Sequence, residues 1–241
     1  MFSTFIVHKV PPHLLKTDFE GKVEALLDKA LLLPIVKKNL VKCEMWTSMS
    51  ALLDSRPGTL FFLSFCTARL RNSFFAILAT AEVRGLFDMG KEWGLHNYSS
   101  GFSATAATKI DNPAPKGGAH LFCVYNVPRS VSSPEHDKKF VDYIENFVQV
   151  PACRKNFVRF EMWQSNNLLD EHMRAFGYSA AGPTFIHHAR LESGNNMFEM
   201  MKDPAAHQSV LKAGNTGQDF DLTGNGYVFS GRVVTKFDKT G

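Results

Sequence analysis

Residues 33–46 read LPIVKKNLVKCEMW, and residues 150–163 read VPACRKNFVRFEMW. At an offset of 117 residues, seven of the fourteen positions are identical: Pro34/Pro151, Lys38/Lys155, Asn39/Asn156, Val41/Val158, Glu44/Glu161, Met45/Met162 and Trp46/Trp163. Several others change conservatively, as Lys37/Arg154 and Lys42/Arg159 do. A match this dense points to one unit of roughly 115 residues present twice in the chain. It also supplies an internal comparison, because a feature found in only one copy is a candidate for a specialised site.

Outward from this anchor, FIVHKVP (5–11) aligns with FCVYNVP (122–128). Both are rich in β-formers and end at Pro, so each reads as a first strand. A helix follows in each copy. Thr17 or Asp18 is the expected cap of the first, with Phe19, Val23, Leu26, Leu27 and Ala30 on one stripe; Ser133 before Pro134 caps the second. NLVKCEMW and NFVRFEMW are second strands. Their alternation puts Val41, Cys43 and Met45 on one face, and Leu40, Lys42, Glu44 and Trp46 on the other. Third strands are expected at 60–70 and 183–192, second helices at 73–88 and 195–212, and last strands at 102–110 and 229–237. The order per copy is β-α-β-β-α-β, the ferredoxin-like plan, an antiparallel sheet with helices on one face. Two copies bury their bare sheet faces against each other. The expected fold is therefore α+β: two tandem ferredoxin-like repeats forming an intramolecular, pseudo-dimeric α+β barrel, with repeats at 1–114 and 115–241 joined through the Pro- and Gly-rich segment 111–118.

The composition bounds the function. The 241 residues are 44% hydrophobic and 21% charged, enough apolar material for a globular core. A net charge of +4, with Lys and Arg dispersed, argues against nucleic acid as a partner. The first ten residues lack a signal-peptide pattern, and no apolar run approaches the ~18 residues of a membrane span, so a cytoplasmic protein without a membrane partner is expected. Cys43, Cys66, Cys123 and Cys153 show no CxxC spacing and read as reduced, packed thiols.

The order of elements, the tandem copy and the segment LESGNNMFEMMKDPAAHQSV (191–210) resemble the dimeric α+β barrel superfamily, especially its EthD-type and stress-responsive barrel branches. A D/H-P-x-H segment recurs in those branches; here it reads Asp203-Pro204-Ala205-Ala206-His207, with one additional residue before the His. The superfamily includes cofactor-free polyketide cyclases, quinone-forming monooxygenases, isomerases, haem proteins and members without known activity. In the similar cyclases a helix His and a nearby Tyr move the proton. Carried over, this implies His207 as general base with Tyr125 or His187 in support. FEMM (198–201) stands where the family's helix Tyr would be.

Read from the residues, pocket positions on the strands pair His8 with Tyr125, Cys66 with His187, and Thr67 with His188. The second copy thus concentrates Tyr125, His187, His188 and His207, groups that can act as base, acid or enolate stabiliser near neutral pH. His8, Cys66, His188, Phe140, Phe185 and Met200 are the expected substrate-lining residues. The alternative places His207 on the surface at a helix start and His187 in the core. His187 and His188 point to opposite faces and cannot chelate one ion, so no metal is expected. The segment 219–226 lacks a full Ca²⁺-loop pattern and reads as a turn. Glu44 and Glu161, each two residues from a Lys or Arg, are expected to form salt bridges across the barrel interior, with catalytic carboxylates as the alternative. Residues 88–101, carrying Trp93, His96 and Tyr98, read as a surface loop or a lid.

The functional expectation is a cofactor-independent enzyme acting on a small hydrophobic, aromatic or polyketide-like molecule. His-mediated proton abstraction would give cyclisation, isomerisation or oxygenation. The alternatives are a non-catalytic stress-responsive protein that binds a hydrophobic small molecule, and a haem-binding oxidoreductase with one axial His. A monomer is expected because the repeats pair internally, with a homo-oligomer left open.

Overall fold

The computed structural model describes residues 1–53, 61–113, 118–128, 130–214, 220 and 222–240. In chain order these form β1 (Phe2–Lys9), α1 (Lys16–Leu32), α2 (Pro34–Asn39), β2 (Leu40–Leu53), β3 (Phe61–Ala68), α3 (Arg71–Leu78), α4 (Ala81–Met89) and β4 (Ser99–Asp111). There follow β5 (Ala119–Asn126), α5 (Pro134–Gln149), α6 (Pro151–Asn156), β6 (Phe157–Asn166), α7 (Asp170–Ala175), β7 (Ser179–Ala180), β8 (Thr184–Leu191), α8 (Gly194–Met201), α9 (Pro204–Gly214), α10 (Leu222–Asn225) and β9 (Gly226–Asp238). The expected linker has its centre, 114–117, outside the described residues, and so does the boundary at 114/115. Of segment 219–226, residues 219 and 221 lie outside them, and Leu222–Asn225 make a helical turn running into β9.

Eight strands close an antiparallel barrel in the order β1-β3-β2-β9-β5-β8-β6-β4, with β4 pairing back onto β1. The short β7 adds to β4 in parallel. Within this ring the strands before residue 112 stand in the order β4-β1-β3-β2, and those after residue 118 in the order β9-β5-β8-β6. The seams are β2–β9 and β4–β6. Register shifts in β2 between Cys43 and Glu44, and again near Ser48, bend the β2–β9 seam.

Strand alternation sets two environments. Phe5, Trp46, Leu63, Phe65, Phe122 and Trp163 point into the barrel with their neighbours and fill it. Trp46 lies 4.8 Å from Phe122, 5.1 Å from Phe65 and 5.6 Å from Trp163, ring centre to ring centre. Each such buried side chain contributes on the order of 1.5–3 kcal/mol. Gly231 of β9 sits where Phe122 and the Thr47 carbonyl come closest; a Cβ there would lie 2.7 Å from the ring and 2.9 Å from the oxygen. Outside the sheet, Met45 and Cys43 meet the helices, as the alternation predicts. Leu40 departs from it: the shift between Leu40 and Lys42 rotates Leu40 to the helix side, where it packs with Val36 and Ile77.

Local details correct several expectations. Neither Thr17 nor Asp18 caps α1, which begins at Lys16 after extended Leu15 and has no side-chain cap. Ser133 does cap α5, accepting a hydrogen bond from the His136 amide. The second helix of each half is broken in two. Pro204 restarts the chain as α9, and Pro fits a first turn but not a helix interior. The region 88–101 is not an open loop. It finishes α4, makes a 3₁₀ turn at Gly90–Trp93, and packs Trp93 on Phe19, 5.4 Å between ring centres. No helix among the described residues is long and apolar enough to cross a membrane.

Candidate functional site

Two cavities lie between the sheet and the helices of the first half. The larger, about 90 Å³, is lined by Ile6, Ser64, Cys66, Phe74, Leu78 and Met173 among others. The smaller, about 50 Å³, is lined by His8, Leu26, Ser64, Leu86 and Tyr178 among others. They share Ile6, Leu27, Ala30, Ser64, Val83 and Phe87 in their linings, so the two adjoin.

The strands place the polar groups of these linings. β1 lies between β3 and β4. Its alternation turns Phe5 into the barrel and Thr4, Ile6 and His8 toward the helices. Ser99 of β4 stands directly opposite His8, and its hydroxyl is 2.8 Å from His8 Nδ1. Ser64, diagonally across on β3, is 3.0 Å from Nε2. Both ring nitrogens are thus held by hydroxyls, one as donor and one as acceptor. Burial drives the His8 pKa down to about 3, so the ring is neutral at physiological pH.

Tyr178 enters from the second half of the chain. Gly177, at φ 85°, ends α7 in the left-handed conformation and turns the chain back. The Tyr178 amide then bonds the Met173 carbonyl at 3.0 Å. The ring packs on His96 at 4.6 Å and edge-on to Phe87 at 5.8 Å. The residue is 3% exposed, and its hydroxyl is buried without a hydrogen-bond partner. Burial pushes the phenol upward, so it stays protonated and can donate. An unpaired buried hydroxyl costs about 1–3 kcal/mol, and Tyr178 belongs to the lining of the smaller cavity.

The residues expected from the sequence divide among four places. His8 and Cys66 line the first-half cavities. Tyr125, Phe140, Phe185, His187 and Met200 converge in the second half, where aromatic rings occupy the equivalent space. Phe140 lies 4.6 Å from Tyr125, 4.7 Å from Phe185 and 5.0 Å from Phe220. The His187 ring stacks at 5.5 Å on Phe140 and lies 5.8 Å from Phe160. Burial takes its pKa to about 3, and its Nε2 is unpartnered. Tyr125 is 3.3 Å from Nε2 of His136, a residue the sequence reading passed over. His188 does not join them. It points into the barrel, stacked on Phe122 at 4.7 Å and 2.8 Å from His120 Nδ1 through its own Nε2. His207 is exposed near the start of α9, apart from Tyr125 and His187. Tyr178, Ser64 and Ser99 were also missed.

The acidic pair is structural in geometry. Lys42 binds Glu44 at 2.6 Å, and Arg159 binds Glu161 at 2.9 Å. Each bridge runs along one strand, between side chains two residues apart, rather than across the interior as expected. Trp46 Nε1 also donates to Glu44 at 3.0 Å. Burial would raise the Glu161 carboxyl, but His188 and Arg159 outweigh it and hold the group at about 2. No group of three or more metal-ligating side chains converges among the described residues.

Three of the described histidines do not fit as haem ligands. Both His8 nitrogens are taken by serines beside small cavities, the His187 ring is enclosed by phenylalanines, and His207 stands on the surface.

No family model matches the chain, and no curated protein does. Solved structures do. A provisionally named monooxygenase of Fusobacterium nucleatum subsp. nucleatum superposes with a TM-score of 0.56 at 10% identity, over 99% of this chain and 97% of that one. An anthrone oxidase-like protein gives 0.56 at 11% identity, over 100% and 96%. A provisionally named monooxygenase of Lactobacillus acidophilus gives 0.50 at 7%, over 98% and 96%. The fold is that of the dimeric α+β barrels, carried here by one chain.

Proposed function

We propose that the protein is an oxygenase-type enzyme that works without a cofactor on a small enolisable aromatic molecule, bound in the first-half cavity. The observation that carries this reading is that His8, Ser64 and Tyr178, whose hydroxyl is unpaired, all belong to the lining of one apolar cavity. The names of the superposed structures are consistent with it. An apolar cavity of about 150 Å³ takes one benzene ring. The two chambers, about 90 and 50 Å³, reach that size only when joined, which selects a single ring over a multi-ring polyketide.

In the proposed reaction the bound molecule displaces the Ser64 hydroxyl from His8 Nε2, and that nitrogen takes a proton from a CH₂ made acidic by the ring and a neighbouring carbonyl. The electron pair moves onto the carbonyl oxygen, where Tyr178 donates to the enolate. The enolate carbon adds O₂, forming a C–O bond, and His8 returns its proton to the outer peroxide oxygen. Loss of the second C–H hydrogen with that hydroxyl, as water, breaks the O–O bond and leaves a carbonyl. One O₂ is consumed and one water released. A buried imidazolium is unfavourable in the empty cavity, and the enolate formed in the same step supplies its counter-charge. This account moves the base from His207 to His8 and leaves the second-half cluster of Tyr125 and His187 as core.

The same reading takes 1–114 and 115–241 as two copies of one unit that close their barrel internally, so that a monomer is complete. Its partner is the small molecule alone. The test is oxygen uptake across a panel of single-ring aryl ketones. Wild type consumes oxygen, His8→Gln loses about 100-fold or more, and His207→Ala is unchanged. Turnover that survives His8→Gln removes the mechanism. A non-catalytic carrier of the same molecule is favoured by one observation, the low basicity of His8; saturable binding without oxygen uptake would establish it.

A further inference from the structure

We propose that Cys43 and Cys66 form an oxidation site, at which hydrogen peroxide joins them in a cross-strand disulfide in the wall of the first-half cavity. The two residues are direct partners in the β2–β3 register, and their sulfurs are 3.0 Å apart, in hydrogen-bonding contact. Directly opposed residues of antiparallel strands have Cα atoms about 4.5–5.5 Å apart. That spacing lies within the ~4.4–6.8 Å spanned by disulfides, whose sulfurs sit at about 2.05 Å. Closure needs the sulfurs to approach by about 1 Å, and the backbone spacing already permits it.

The two thiols differ in access. Both line the larger cavity, but Cys43 is fully buried, whereas Cys66 is half-buried. Cys66 is therefore the sulfur that meets the oxidant. Its thiolate attacks one peroxide oxygen, the O–O bond breaks, and a sulfenic acid forms with release of water. The Cys43 sulfur then displaces the hydroxyl from the Cys66 sulfur, and its proton leaves with it as a second water. Two thiols and one peroxide give one disulfide and two waters. The hydrogen-bonded contact in which Cys43 keeps its proton toward Cys66, then burial, holds the Cys43 thiol well above its ordinary pKa, so Cys43 is quiet until its neighbour is oxidised. Burial also pushes Cys123 and Cys153 to about 12, which keeps both out of the reaction.

The second half shows what these positions hold without such chemistry. By the alignment of the repeats, Cys43 corresponds to Phe160 and Cys66 to His187, which pack ring to ring at 5.8 Å. The thiol pair occurs only in the half that has the cavities, and its oxidation does not depend on what that space binds.

The experiment treats the full chain with hydrogen peroxide, alkylates the remaining thiols under denaturing conditions, and maps the peptides by mass. The expected result is loss of two alkylation sites, a peptide containing Cys43 linked to one containing Cys66, and recovery of all sites with dithiothreitol. In Cys43→Ser, a dimedone adduct is expected on Cys66. Four alkylated thiols after treatment, or wild-type Cys66 oxidised without a link to Cys43, would overturn the proposal. The decisive reading is made on the unsubstituted chain, so misfolding of the variant cannot obscure it.

Discussion

Tyr178→Phe separates stability from function. In the folded protein the Tyr178 hydroxyl is buried and has no partner, while in the unfolded chain it is hydrated. Removing it deletes a desolvation cost of about 1–3 kcal/mol and keeps the ring contacts with His96 and Phe87. The variant should be more stable by about 1–2 kcal/mol. In a chain of this length each kcal/mol moves Tm by about 2–4 °C, so thermal unfolding should shift upward by about 2–8 °C. Ligand binding should move the other way. A lost hydrogen bond to a neutral carbonyl is worth about 0.5–1.5 kcal/mol, or up to about tenfold in Kd. One to an enolate is worth about 1.5–3 kcal/mol and should appear in kcat. Calorimetry, ligand titration and oxygen uptake on the same two proteins give all three values. A lower Tm together with unchanged binding would mean that the hydroxyl already has a partner in the apo protein, and would refute the reasoning.

Three further outcomes follow from the same geometry. His187 and His8 both hold pKa values of about 3 in the fold against an ordinary 6.5. The unfolded chain therefore takes up their protons first, so their contribution to stability is whole above about pH 6.5 and is lost as pH falls toward 3. His187→Phe should lower the slope of stability between pH 6 and 4 by about one proton, ~1.4 kcal/mol per pH unit, measured by urea unfolding across pH; an unchanged slope would show that His187 is not a buried neutral ring. Gly231→Ala should destabilise by about 2 kcal/mol or more in chemical denaturation, because the new methyl meets a ring and a backbone oxygen that cannot both retreat; wild-type stability would show that the seam is loose. Lys42→Ala should cost about 1–3 kcal/mol, because it takes the salt-bridge partner from Glu44, which is 6% exposed, and leaves the Trp46 indole as its hydrogen-bond donor among the described residues; a neutral result in the same assay would place the Glu44 charge in water.

The barrel was largely legible because the repeated segment fixed where strands fall, and period-two alternation did the rest. Trp46 and Glu44 were placed inside correctly on that basis alone. Leu40 was missed because a bulge shifts register without a sequence signature. The break before α9 is visible in the sequence as Pro204, which fits a first helical turn and not a helix interior. The site was less legible. Histidines gathered in the second half looked like chemistry, but a sequence does not say whether Phe140, Phe160 and Phe220 will fill the space around them. In the first half the surrounding residues leave room, and His8 became the working candidate. Tyr178 lies on a segment that the β-α-β-β-α-β template does not contain, so no strand pairing pointed to it. Ser64 could have been found: it is two residues from Cys66 and therefore on the same strand face.

The most direct test of the first-half cavity as the working site is a crystal structure of the protein with a single-ring aryl ketone bound. The account predicts the ring between the sheet and helices α1 and α4, with its oxygen within hydrogen-bonding distance of Tyr178 and its acidic carbon facing His8. A ring lodged instead among Tyr125, Phe140 and His187, or on the surface near His207, would contradict it.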